Sequence, residues 1–100
     1  MYASIRQGTV HPGQVQEFTQ VLREEIAPAH AKINGFVGYY AIDCGNDRLM
    51  GFSLFENQAG AEEASKQASE YAKTKLQSFL REPLEIASGQ VVVEKVRQPV

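Results

Sequence analysis

Apolar positions alternate over Tyr2–Val10, then recur at spacings of three and four at Val15, Phe18, Leu22 and Ile26. The first period marks a strand and the second an amphipathic helix. The helical stripe stays in phase through Ala29 and Ile33, past Pro28. Pro28 has no amide hydrogen, and its ring collides with the carbonyl four residues back, so a kink is expected near Glu24–Pro28. Gly35, after Asn34, is suited to the left-handed conformation that ends a helix. Strands come next at Phe36–Asp43 and Arg48–Glu56. The turn cluster Gly45-Asn46-Asp47 between them makes the pair antiparallel. Asn57 is placed to cap a second helix over Gln58–Leu80, whose buried stripe reads Ala61, Ala64, Ala68, Tyr71, Ala72, Leu76 and Phe79. The first half of that stripe is alanine only, so the helix either sits close to the sheet or leaves a hollow beneath it. The valines of Gln90–Val96 predict a fourth strand, with residues 97–100 as a frayed tail.

The order strand, helix, strand, strand, helix, strand predicts a single α+β domain over residues 1–100. Its expected form is ferredoxin-like βαββαβ, with a four-stranded antiparallel sheet and two helices on one face. The hairpin strands complicate this plan. Phe36, Gly38, Tyr40 and Ile42 oppose Val37, Tyr39, Ala41 and Asp43; Met50, Phe52 and Leu54 oppose Leu49, Gly51, Ser53 and Phe55. A half-exposed antiparallel strand alternates apolar with polar residues, and these do not do so cleanly. Two helices cover one face only, so a second subunit is expected on the other.

Composition narrows the function classes. The 100 residues fit one domain, 43% of them are apolar and the net charge is −2. Lys and Arg are scattered, so no nucleic-acid partner is expected. No apolar run approaches the length needed to cross a bilayer. The single cysteine, Cys44, with no leader-like N-terminus, suits a reducing, cytoplasmic compartment. His11 and His30 lack metal-ligand spacing, and no phosphate-binding loop is present, so no metal or cofactor is expected.

Arg6 is the prime candidate for chemistry, because a central strand rarely carries a charge that is neither paired nor used. It is suited to hold an anionic or enolate oxygen. The alternative is an ion pair, with Glu94 or with a partner subunit. Tyr39, Tyr40 and Tyr71 are candidates to line an aromatic pocket, the alternative being core or dimer packing. Ser53 is a candidate hydrogen-bond donor into a cavity, without the surroundings of a nucleophile. Arg6 and Tyr71 are thus the candidate catalytic residues; Tyr40, Ser53 and Phe55 are the candidate substrate contacts.

Ser4-Ile5-Arg6, Pro12-Gly13, Gly35-Phe36-Val37-Gly38-Tyr39-Tyr40 and the run Phe52-Ser53-Leu54-Phe55-Glu56-Asn57-Gln58-Ala59-Gly60-Ala61 carry a resemblance. Together they resemble the antibiotic biosynthesis monooxygenase-like family of the dimeric α/β-barrel superfamily, over Tyr2 to about Val96. The resemblance implies a homodimer whose sheets face each other. It also implies a cavity between sheet and helices, and oxidation of phenols or quinols by molecular oxygen without metal or flavin. The haem-degrading branch carries a Trp and a His on the second helix and an Asn on the first strand. This chain has no Trp, Arg6-Gln7 on the first strand and only Tyr71 near the Trp position, so haem cleavage is not expected. A non-catalytic dimer that binds a small molecule is the other reading.

Overall fold

The computed structural model describes residues 1–99. Its elements run β1 (Tyr2–Thr9), α1 (Val15–Val21), a π-helical turn (Leu22–Ile26), α2 (Ala27–Ala31), β2 (Phe36–Gly45), β3 (Arg48–Phe55), α3 (Gln58–Lys73) and β4 (Glu85–Gln90). The strands form one sheet in the order β2-β3-β1-β4, with every neighbouring pair antiparallel. The helices pack against this sheet, α3 on β1, β3 and β4 and α2 on β2. This is the ferredoxin-like α+β plan expected from the order of periods. Among the described residues, no helix is long and apolar enough to cross a membrane.

The first helical segment departs from a regular helix where Pro28 requires it. The Ala27 amide reaches back five residues to the Leu22 carbonyl. One extra residue in that turn lets the chain absorb the donor that Pro28 lacks. It also rotates α2 about its own axis relative to α1. Phe18, Ile26 and His30 are buried, and Ala29 is only partly covered. The expected stripe through Ala29 is thereby replaced by one through His30.

Two boundaries differ from expectation. Helix α3 ends at Lys73, well short of Leu80. Thr74 takes a non-helical backbone (φ −124°, ψ −94°) and bonds its hydroxyl to the Glu70 carbonyl. Leu76 then turns into the core. Strand β4 is Glu85–Gln90, not Gln90–Val96. It pairs with β1 from Gln7↔Glu85 to Tyr2↔Gln90, and the Val91 amide reaches the Met1 carbonyl. Beyond that point β1 has no residues left to pair with. The β-branched preference of Val91–Val93 cannot make a strand without a neighbour. Residues 91–99 carry no regular structure, and Val100 of the expected tail lies outside the described residues.

Cross-strand register fixes which residues face the helices. Tyr2↔Phe55, Ser4↔Ser53, Arg6↔Gly51 and Gly8↔Leu49 share the helix side, as does Tyr39↔Ser53. Ala3, Ile5, Phe52, Leu54, Met50, Tyr40 and Ile42 fall on the other. The core is split in two. One cluster gathers Val10, Phe18, Leu49 and Leu76. The other gathers Phe55, Ala61 and Ala64, with Tyr2, Ile33 and Phe36 beside it. Here the alanine half of α3 closes on the sheet. A Cβ on Gly60 would lie 2.7 Å from the Phe55 ring and 3.1 Å from the Asn34 carbonyl oxygen. Asn57 caps this helix as expected, accepting from the Gly60 amide at 2.8 Å.

Candidate functional site

A band of polar side chains crosses the helix–sheet interface between the two apolar clusters. Ser4 and Arg6 come from β1, Ser53 from β3, His30 from α2 and Ser65 from α3. Ser4, Arg6, Ser53 and His30 are all buried. The Ser4 and Ser65 hydroxyls lie 2.7 Å apart. Arg6 Nη1 donates to the Ser4 carbonyl at 2.8 Å and to Ser53 Oγ at 2.9 Å. Ser53 Oγ also meets His30 Nδ1 at 2.7 Å.

The proton positions follow from counting donors. A hydroxyl has one hydrogen and two acceptor sites. If Ser53 accepts from Arg6 and donates to His30 Nδ1, the imidazole hydrogen is on Nε2, and one group is left unpaired. If His30 Nδ1 carries the hydrogen, both His30 Nε2 and the Ser53 hydrogen lack partners. The first arrangement costs less, so His30 is a neutral ring with hydrogen on Nε2. That nitrogen is fully buried and has no partner among the described residues. Burial, with the nearby Arg6 charge adding to it, pushes the His30 pKa down to about 4. The same two facts keep the ring neutral at physiological pH.

Tyr39 completes the arrangement. Its ring stands edge-on to His30, at 5.6 Å between centroids, and the Arg6 guanidinium lies 5.4 Å from the ring centre. Burial raises the Tyr39 pKa, and the Arg6 charge offsets part of that rise. Burial lowers the Arg6 pKa, with Tyr39 acting in the opposite sense. Gly51 makes room for the fork, since a Cβ there would sit 3.1 Å from Arg6 Nη2.

Arg6 and Tyr39 form part of the wall of a cleft between sheet and helices. Phe18, Leu22 and Ile26 close it from the first helical segment, Ala68 and Tyr71 from α3. Leu49, Leu76 and Leu84 supply further apolar lining. The closed part is narrow, about 40 Å³, on a scale where one water takes roughly 10–15 Å³. With its open mouth the non-atom space is about 470 Å³.

The candidates named from the sequence therefore divide. Arg6 and Tyr71 both line the cleft. Ser53 lies behind Arg6 and holds it. Phe55 is sealed in the second apolar cluster, away from the cleft. Tyr40 is 60% exposed on the opposite face of the sheet; its neighbour Tyr39 lines the cleft, as Tyr71 does. The alternative of an Arg6–Glu94 ion pair is not formed. Glu94 is exposed beyond the end of β4, and among the described residues the one ion pair joins Lys75 to Glu25. His30, expected beside the helix kink as a solvated or hydrogen-bonded structural histidine, is a buried, hydrogen-bonded member of the polar band. The run Phe18, Leu22, Ile26, His30 keeps a constant spacing of four, longer than a regular helical turn, and continues past Pro28.

No family model and no curated protein matches the chain. Solved structures do match it. A protein of unknown function from Nitrosomonas europaea is 18% identical, over 98% of this chain and 95% of that one, with a TM-score of 0.78. A second Nitrosomonas europaea protein, proposed to be an antibiotic biosynthesis monooxygenase, is 13% identical over 93% and 100%, with a TM-score of 0.74. SnoaB, a cofactor-independent oxygenase from Streptomyces nogalater, is 17% identical over 93% and 94%, with a TM-score of 0.73. At these identities the likeness is one of fold, and the chain has the fold of the antibiotic biosynthesis monooxygenase-like proteins that its strand and turn motifs resemble.

Proposed function

We propose that the protein is a homodimeric, cytoplasmic oxygenase that oxidises a small aromatic or quinol-type compound without metal or flavin. One observation carries the reading: a buried arginine at the wall of an otherwise apolar cleft, in the fold of a cofactor-independent oxygenase. In such chemistry the substrate anion itself supplies electrons to oxygen. A ring methylene and one O₂ give a ring carbonyl and water, so atoms balance without a cofactor. Arg6 holds the substrate oxyanion. Tyr39 and Tyr71 flank the ring, and the apolar lining excludes water from the reduced oxygen intermediate.

The dimer is supported by the sheet face away from the helices. Ile5, Met50, Phe52, Leu54, Tyr40 and Ile42 lie together there by register, and Tyr40 and Ile42 are exposed in the single chain. Val92, Val93 and Val96 extend beyond β4, also exposed. Apolar surface of this continuity marks an interaction site. The exposed thiol of Cys44 fits a reducing compartment.

The second reading, a non-catalytic dimer that binds a small molecule, is favoured by one observation. No carboxylate and no histidine line the cleft. Oxygen uptake with a panel of hydroquinones, anthrones and phenols separates the two, with products followed by mass spectrometry. Protein-dependent uptake with a defined oxidised product supports the oxygenase. Tight binding of a panel member that is recovered unchanged in air supports the binding dimer.

A further inference from the structure

Arg6 is a charge that the described residues do not neutralise. Its side chain is buried, no carboxylate reaches it, and the Lys75–Glu25 pair is a surface contact. A buried charge without a counter-charge is costly, so its retention beside a cleft asks for an anion. The geometry is ready for one. Of five N–H donors on the guanidinium, Nη1 uses two on Ser4 and Ser53. Nε and Nη2 are not engaged by Ser4 or Ser53; the Tyr39 hydroxyl stands within reach of the guanidinium, and Arg6 lines the cleft. Ser53, itself held by His30, fixes the direction of the remaining three.

The groups around the guanidinium are Tyr39 from β2, Ser53 and His30 from β3 and α2, Ile86 opposite on β4, and Tyr71 across the cleft on α3. None is a carboxylic acid; Tyr39 and Tyr71 are phenols, and burial raises the Tyr39 pKa and so keeps its hydroxyl protonated. His30 Nδ1 is turned to Ser53 and does not line the cavity. A proton taken from a bound ligand has no receiving side chain there.

Resting on the reading of this cleft as the ligand site, we infer that the protein takes its ligand as a monoanion. The ligand is a narrow aromatic body with one anionic oxygen, ionised by its own acidity and by Arg6 rather than by a protein base. The class comprises acidic phenols and enols, and it excludes their neutral ethers.

The test uses 4-nitrophenol, whose phenolate is coloured and which ionises near neutral pH, and its ether 4-nitroanisole. The phenol is titrated spectrophotometrically in excess folded protein. The expected result is that the bound phenol ionises about one pH unit or more below the free phenol. At a pH where the phenol is ionised, 4-nitroanisole binds about tenfold or more weakly. Arg6→Gln returns the titration of any bound phenol to its free value. The wild-type titration stands alone if that variant does not fold. A bound phenol that ionises at or above its free value overturns the inference. So does an ether that binds equally well, or a failure of 4-nitrophenol to bind at millimolar concentration. A lowered titration with no oxygen uptake across the quinol panel keeps this inference and removes the oxygenase reading. Uptake without a lowered titration does the reverse.

Discussion

At the scale of single residues, the site is a chain of buried polar groups that hold one another. Ser53 is its centre, accepting from Arg6 and donating to His30. Replacing Ser53 by Ala leaves an arginine donor and an imidazole acceptor buried without partners, at about 1–3 kcal/mol each. Urea unfolding should show Ser53→Ala destabilised by about 2–4 kcal/mol; a loss under about 0.5 kcal/mol contradicts the network. His30 adds a pH dependence. Its folded pKa of about 4 lies below the ordinary value near 6.5. Between those values the unfolded chain binds a proton that the folded chain refuses. Stability from this group is therefore complete above about pH 6.5 and is lost as pH falls towards 4. Its full size is about 3 kcal/mol. His30→Phe, which takes up no proton, should lose markedly less stability than the wild type between pH 7 and 4.5. Equal losses in the two proteins contradict the assignment.

At the scale of elements, α3 is seated by small residues. Gly60→Ala would normally favour a helix by about 1 kcal/mol. Here the new methyl meets the sealed Phe55 ring and a backbone carbonyl, and overpacking costs about 1–3 kcal/mol. The packing term wins, so chemical denaturation should show a net loss of about 1–2 kcal/mol. A gain would mean that the helix does not sit this close. Much of the element order was legible in the sequence, because each period there is long and uninterrupted. What was not legible depended on a neighbour. Val91–Val93 have strand chemistry but no strand beside them in their own chain, and so β4 falls earlier. Tyr39 and Tyr40 differ only in parity. The pair next to the turn is Gly45↔Arg48, and a register shift between Gly45 and Asp43 then sets Tyr39 opposite Ser53 and Tyr40 opposite Phe52. His30 was hidden by the π-helical turn, which shifts the buried stripe by one residue. Arg6 stood out from the start, since a charge in a central strand needs a reason.

At the scale of the whole molecule, one face of the sheet carries the helices and the site, and the other is apolar and open. A second copy on that open face would bury Tyr40 and Ile42 symmetrically, each subunit presenting the same patch. Ile42→Glu would then bring two uncompensated carboxylates into one interface. Sedimentation velocity at micromolar concentration should show a wild-type dimer, and a monomer for Ile42→Glu. A monomeric wild type would contradict the dimer. If Arg6 makes the cleft a place for an anion that reacts with oxygen, the reaction should fail without its charge. The decisive experiment is oxygen consumption by the wild type and by folded Arg6→Gln on the quinol or anthrone that the panel identifies. Uptake by the wild type is expected, with a loss of about 100-fold or more in the variant, the usual effect of removing an oxyanion donor. Uptake that survives Arg6→Gln unchanged would show that Arg6 does not hold the reacting anion.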